Sequence, residues 1–182
     1  MASQNLYKKF TKTETSKNRN GGYKNVLYYA PTSTFLSIKQ PTDAPAALGD
    51  TKKITTAHTF PADEGWMSLL CKLHSVTSKA TTVGDEGAQR MQYDFEGIIL
   101  GDSAIHQEQL EAMLNDNCLF LIKDQDCINT TDYVQFGDEC LTPNIKLEFT
   151  GNTTKEGLKE YKILGTVLDK KFWYSAAVTE KP

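Results

Sequence analysis

The stretch that most constrains this chain is Gln92–Asp124, QYDFEGIILGDSAIHQEQLEAMLNDNCLFLIKD. It reads as strand, turn, short helix, tight turn, strand. Met91, Tyr93, Phe95, Gly97 and Ile99 alternate with polar residues until Ile98 and Leu100, where both faces turn apolar. That pattern predicts a half-buried strand that becomes fully buried. Gly101 breaks it. Asp102 or Ser103 then offers a short side-chain oxygen to the first unpaired N–H groups of a helix. Leu110, Met113 and Leu114 fall at i, i+3 and i+4, with Ile105 on the edge of the same face. Asn115, Asp116 and Asn117 end the helix, as residues that tolerate a left-handed turn. Cys118–Ile122 is five apolar residues long, enough for a strand and too short for a helix.

Elsewhere the pattern is β. Tyr23–Tyr29 is rich in strand formers and is stopped by Pro31. Thr34–Ile38 predicts a second short strand. Pro41–Asp50 is a loop by composition. Thr51–Phe60 reads as an edge strand, where Lys52 and Lys53 would discourage pairing with strangers. Trp66–Thr77 is open to a helix, but its period-two alternation is the cleaner reading and predicts one long strand, and Ser78–Gly87 reads as a polar loop. Tyr133–Phe136, Asn144–Thr150, Lys159–Leu168 and Lys171–Val178 complete the strands. Ile145, Leu147 and Phe149 point inward in the second of these. Asp169–Lys170 forms the turn between the last two. The sum is eight to ten strands and one helix. It predicts a mainly β fold, a β-sandwich or barrel-like sheet pair with one short α-helix inserted between strands.

With 182 residues, residues 23–182 are expected to form a single sandwich domain. Residues 1–22 are polar, rich in Lys, Asn and Thr, and end in Gly21–Gly22. They read as an extended N-terminal arm that would gain order on a neighbour, with Tyr7 and Phe10 as its anchors. Tyr28 and Tyr29 are the other candidates for assembly contacts.

Charge narrows the function. Twenty basic and 23 acidic residues leave a net charge of −3. A dedicated nucleic-acid binder would be clearly basic. No apolar run reaches the roughly 20 residues that span a bilayer, so no membrane partner is expected. The first residues lack an apolar centre, which predicts no secretory signal. Cys71, Cys118, Cys127 and Cys140 are therefore expected as thiols, the first two inside the core.

No catalytic constellation emerges. His58, His74 and His106 are scattered, and no Cys or His stands at ligand spacing, so no metal site is expected. His106 reads as a partly buried, hydrogen-bonded helix residue. Asp124-x-Asp126 resembles the start of a calcium loop. Ile128, Asn129 and Gln135 then stand where a ligand, the turn glycine and the closing glutamate belong. The cluster of Asp124, Asp126, Asp132, Asp138 and Glu139 reads as a solvated acidic loop. Asn129-Thr-Thr and Asn152-Thr-Thr match glycan acceptors, but read as turn residues. No phosphate loop or nucleophile elbow is present. The expectation is a protein without enzymatic activity or cofactor.

The order of elements resembles bacteriophage tail tube proteins and related virion structural proteins. The residues that carry the resemblance are QYDFEGIILG, SAIHQEQLEAMLN, CLFLIKD, YVQFG, NIKLEFTG and KEYKILGTVLDKKFWYSA, within Thr51–Ala177. The segment TTAHTFPADEGW looks like small structural proteins of phages that infect Bacteroidetes. The resemblance implies a β-sandwich with a flanking helix, made in a bacterial host's cytoplasm and built into a phage tail. It implies a homo-oligomeric, hexameric ring stacked around a DNA conduit, with other phage structural proteins as partners. DNA would pass without specific contact, which suits a slightly acidic protein. A neck, ring or head-decoration protein of the same fold is an alternative. A reading of another class is a carbohydrate- or ligand-binding sandwich that uses Tyr28, Tyr29 and Trp173.

Overall fold

A computed structural model describes residues 22–125, 133–151 and 159–182. Among them are ten strands and one helix: β1 Tyr23–Pro31, β2 Lys53–Ile54, β3 Met67–Leu70, β4 Thr77–Val83, β5 Arg90–Leu100, α1 Ala104–Asn115, β6 Cys118–Asp124, β7 Tyr133–Phe136, β8 Asn144–Thr150, β9 Glu160–Leu168 and β10 Lys171–Tyr174. The strands form two sheets. One has six strands in the order β2-β10-β7-β6-β1-β3, the other four in the order β4-β5-β9-β8. The mainly β sandwich with a single helix is as the patterning predicts.

β6 explains why the larger sheet sits in the middle of the molecule. Its first five residues are all buried. Cys118, Phe120 and Ile122 enter a core facing the smaller sheet, with Phe95, Ile99, Ile163 and Val167 opposite. Leu119 and Leu121 enter a second core on the outer face, with Trp66, Tyr133, Phe172 and Tyr174. That outer face is covered mainly by irregular chain. Phe35, Ile38, Ala57 and Phe60 pack onto it from before β3, and Val178 from the C-terminal tail. The tail is clipped in place by Trp66 N–H donating to Thr179 O at 2.8 Å and Lys181 N–H donating to Trp66 O at 3.0 Å.

Two close approaches fix how the sheets meet. Phe95 lies opposite Gly165 in the β5–β9 register, and a Cβ at Gly165 would overlap the Phe95 ring. The missing side chain lets that ring lie flat on β9 and reach Phe120 and Phe136, with centroids 4.9 and 4.8 Å away. Near the other crossing, Cys71 N–H donates to Asn25 O of β1 while Lys72 N–H donates to Ile98 O of β5. The chain steps from one sheet to the other between these two residues. Gly97 makes room, since a Cβ there would stand 2.9 Å from Cys71 Sγ.

This crossing overturns the single long strand expected over Trp66–Thr77. β3 is only four residues long, and His74 takes a positive φ of 60° in the turn that follows. Ser75 Oγ–H closes that turn on Lys72 O at 2.7 Å. The segment expected as a polar loop after Thr77 is instead β4, an edge strand paired with β5 from Thr77↔Glu96 to Val83↔Arg90. Its alternation is of small and polar residues, which hid it. Thr34–Ile38 is not a strand either. Thr32–Thr34 forms a 3-10 turn, and only Ser37 bridges to Thr59. The edge strand expected over Thr51–Phe60 shrinks to Lys53–Ile54, parallel to β10. Asp169–Lys170 is not a hairpin turn but a corner, because β9 and β10 belong to different sheets.

The helix also departs in detail. Ser103 is the cap, its Oγ accepting from His106 N–H at 3.2 Å. Leu110 and Met113 are buried, but Leu114 is 44% exposed and Ile105 68%. The helix ends without a left-handed residue, for Asp116 has φ −96°. Ile98 is half-buried and Leu100 exposed, so the end of β5 is not covered on both faces.

Candidate assembly surfaces

Of the four residues expected at assembly contacts, Tyr7 and Phe10 lie outside the described residues. Tyr28 and Tyr29 are neighbours on β1 and point to opposite faces, as successive strand residues must. Tyr29 is buried between the sheets, its ring stacked on Phe120 at 6.3 Å. Tyr28 is buried in the outer core, edge-on to Tyr133 at 5.8 Å. Its hydroxyl donates to Glu180 Oε1 at 3.3 Å. Burial and that carboxylate push the Tyr28 phenol up to about 12. Within the chain, both rings pack in the cores. Trp173, the third aromatic of the carbohydrate reading, is 46% exposed.

Three groups singled out by sequence take unexpected places. Asp138 is not part of a solvated loop but is almost fully buried. Its Oδ1 accepts from Cys140 N–H and Leu141 N–H at 3.0 and 2.8 Å, and its Oδ2 pairs with Lys170 Nζ at 2.6 Å. The backbone turn at Gly137 turns the carboxylate inward, which satisfies donors that would otherwise be orphaned. His106 Nδ1 is buried and has no hydrogen-bond partner among the described residues, where one was expected. Asp126, Cys127, Ile128, Asn129, Asp132 and Asn152 lie outside the described residues.

His58 was expected to be one of three scattered histidines and is instead the centre of a buried polar knot. Its Nδ1 accepts from Lys39 N–H at 2.9 Å, so its other nitrogen carries the proton and donates to Gln135 Oε1 at 2.8 Å. Gln135 Nε2 donates to Gly137 O at 3.0 Å. The Tyr174 hydroxyl accepts from His58 N–H and donates to Ala177 O. Burial pushes the imidazole below the usual histidine range, and the nearby Lys39 charge acts the same way. Phe35 and Trp66 close around the ring. Every side-chain polar atom of the knot is spent on another part of the chain, so it pins the irregular layer to the sheet. Cys71 and Cys118 are buried thiols, pushed up to about 11 and about 12 by burial. No group of three or more His, Cys, Asp or Glu among the described residues could hold a metal ion.

What the described residues leave open is the surface around α1. On one flank a groove of about 480 Å³ runs between α1 and β8–β9, lined by Leu110, Leu114, Leu147, Phe149, Tyr161 and Glu111 among others. Phe149 is 51% exposed, its ring against Tyr161 at 4.8 Å. Asp102 marks one end. It accepts from the Tyr161 hydroxyl and pairs with Lys159 Nζ at 2.8 Å, and the lysine holds its carboxyl below the usual range. On the other flank a second cavity of about 320 Å³ lies between α1, β3 and the end of β5. Leu70 and Leu100 are exposed at its rim. Strand alternation and helix spacing had placed Phe149 and Leu114 in the core. Both elements lie at an edge of the sandwich, where periodicity selects a face but not whether anything covers it.

Among the described residues, the sheet edges are open as well. β3, β4 and β8 each end a sheet among the described strands, so each presents one row of backbone N–H and C=O groups without a strand partner. Compared with known proteins, the chain matches no family model, no curated protein and no solved structure.

Proposed function

We propose that this chain is a structural subunit of a phage tail, a tail tube protein that closes into symmetric rings stacked around a DNA conduit. The observation that carries the reading is the combination of open sheet edges with exposed large apolar side chains around α1. Large exposed apolar side chains grouped around one element mark an interaction surface. A ring hides it by continuing the sheet and the apolar contact into the next copy. The acidic balance of the chain suits a conduit that must not hold DNA. A neck or head-decoration subunit would use the same surfaces. The carbohydrate reading is left with Trp173 alone, because Tyr28 and Tyr29 are buried.

Negative-stain microscopy and sedimentation of the purified chain test this. Rings or short tubes are the expected result. A strictly monomeric species at high concentration, with no tendency to stack, would overturn it.

A further inference from the structure

Residues 1–21 hold five Lys or Arg and one Glu, a net charge of +4, so the remainder of the chain carries −7. The large apolar side chains of this segment after Met1 are Leu6, Tyr7 and Phe10, all within five residues and interleaved with Lys8, Lys9 and Lys12. The groove between α1 and β8–β9 has the complementary character. Its floor is apolar, and the helix above it bears Glu108 and Glu111 with no Lys or Arg from Ala104 to Asn115. Glu108 and Glu111 are exposed and join no ion pair among the described residues. Among the described residues, Glu111 accepts a hydrogen bond from Gln107.

Resting on the ring reading, we infer that residues 6–12 of one copy dock in this groove of the next. Tyr7 and Phe10 cover Leu114 and Phe149, and the lysines face Glu108 and Glu111. The edge of β8 alongside, without a strand partner among the described residues, offers backbone donors and acceptors to an extended segment. The path of the chain favours a neighbour. Gly22 O accepts from Gln125 N–H at one end of β1, whereas Thr32 N–H donates to Asn117 O, beside the end of α1, at the other. A nine-residue strand spans about 30 Å. Doubling back over it would use most of the ~40 Å that the twelve residues from Phe10 to Gly22 can reach when fully extended.

Full-length variants test the docking. Lys8→Glu/Lys9→Glu and Glu108→Lys/Glu111→Lys are each expected to weaken self-association about tenfold, the combined effect of a few exposed charge pairs. One chain carrying all four changes regains it. Carbodiimide cross-linking of a mixture of ¹⁴N- and ¹⁵N-labelled wild-type chains should join the arm's lysines to Glu108 or Glu111 in mixed-isotope pairs. Association of the glutamate variant at wild-type strength, no recovery in the fourfold variant, or same-isotope pairs alone would each overturn the inference. Rings formed by the lysine variant at wild-type strength would overturn it while leaving the tube reading standing. A wild-type chain that never associates would remove both.

Discussion

His58 is where one proton can loosen the molecule. Its neutral imidazole accepts from Lys39 N–H and donates to Gln135, and charging it would turn an N–H against an N–H. Its folded pKa lies below the ordinary value of 6.5, so the unfolded chain binds the proton first. The stability this contributes is complete above about pH 6.5 and is lost as pH falls through the folded value. Urea midpoints measured between pH 7.5 and 5 should therefore drop, and His58→Gln should flatten the part of the slope that begins near 6.5. An unchanged slope in the variant would assign the acid sensitivity elsewhere. Gly165 is a steric counterpart. Gly165→Ala drives a methyl into Phe95, which cannot retreat because Phe120 and Phe136 stand behind it. Overpacking of this kind costs about 1–3 kcal/mol, read as a lower melting temperature.

At the scale of elements, α1 separates two leucines that its spacing treats alike. Leu110 is buried in the inter-sheet core and Leu114 opens to the groove. Leu110→Ala should cost about 2–5 kcal/mol in chemical denaturation, whereas Leu114→Ala should stay within about 0.5 kcal/mol. Equal losses would mean that the groove is closed within the single chain. The same contrast marks what the sequence can say. β6 was legible because five consecutive apolar residues need cover on both faces, and the structure supplies both cores. β3 and β4 were not, because the sheet crossing at Cys71–Lys72 depends on hydrogen bonds to Asn25 and Ile98, far away in sequence. The layer over the outer core was not legible either. It has no period to read, being held by the His58 knot and by aromatic contacts such as Phe35 with Phe60 and Trp66. Of the candidate surface, Leu114 and Phe149 were recognisable as apolar, but their exposure follows from which elements end a sheet.

For the whole molecule, fold and association should separate cleanly. Among the described residues, the members of both cores run from Tyr23 to Val178. Deleting residues 1–20 should leave the circular dichroism and the melting temperature as they are while weakening association. A lost β signal in the truncated chain would mean that the arm belongs to the fold. Salt gives the same partition an independent handle. The arm carries +4 against −7 on the remainder, and exposed charges act over only about 10 Å at 0.1 M salt and about 3 Å at 1 M. Association of the full chain should therefore fall as salt is raised. Contacts made by sheet edges and apolar rims are indifferent to salt or strengthened by it. The truncated chain, left with those contacts and a larger self-repulsion, should associate weakly at low salt and better as salt rises. Opposite salt slopes for the two chains, measured by sedimentation, would assign the basic arm to the electrostatic half of assembly. Parallel slopes would assign the arm no charge-dependent part in it.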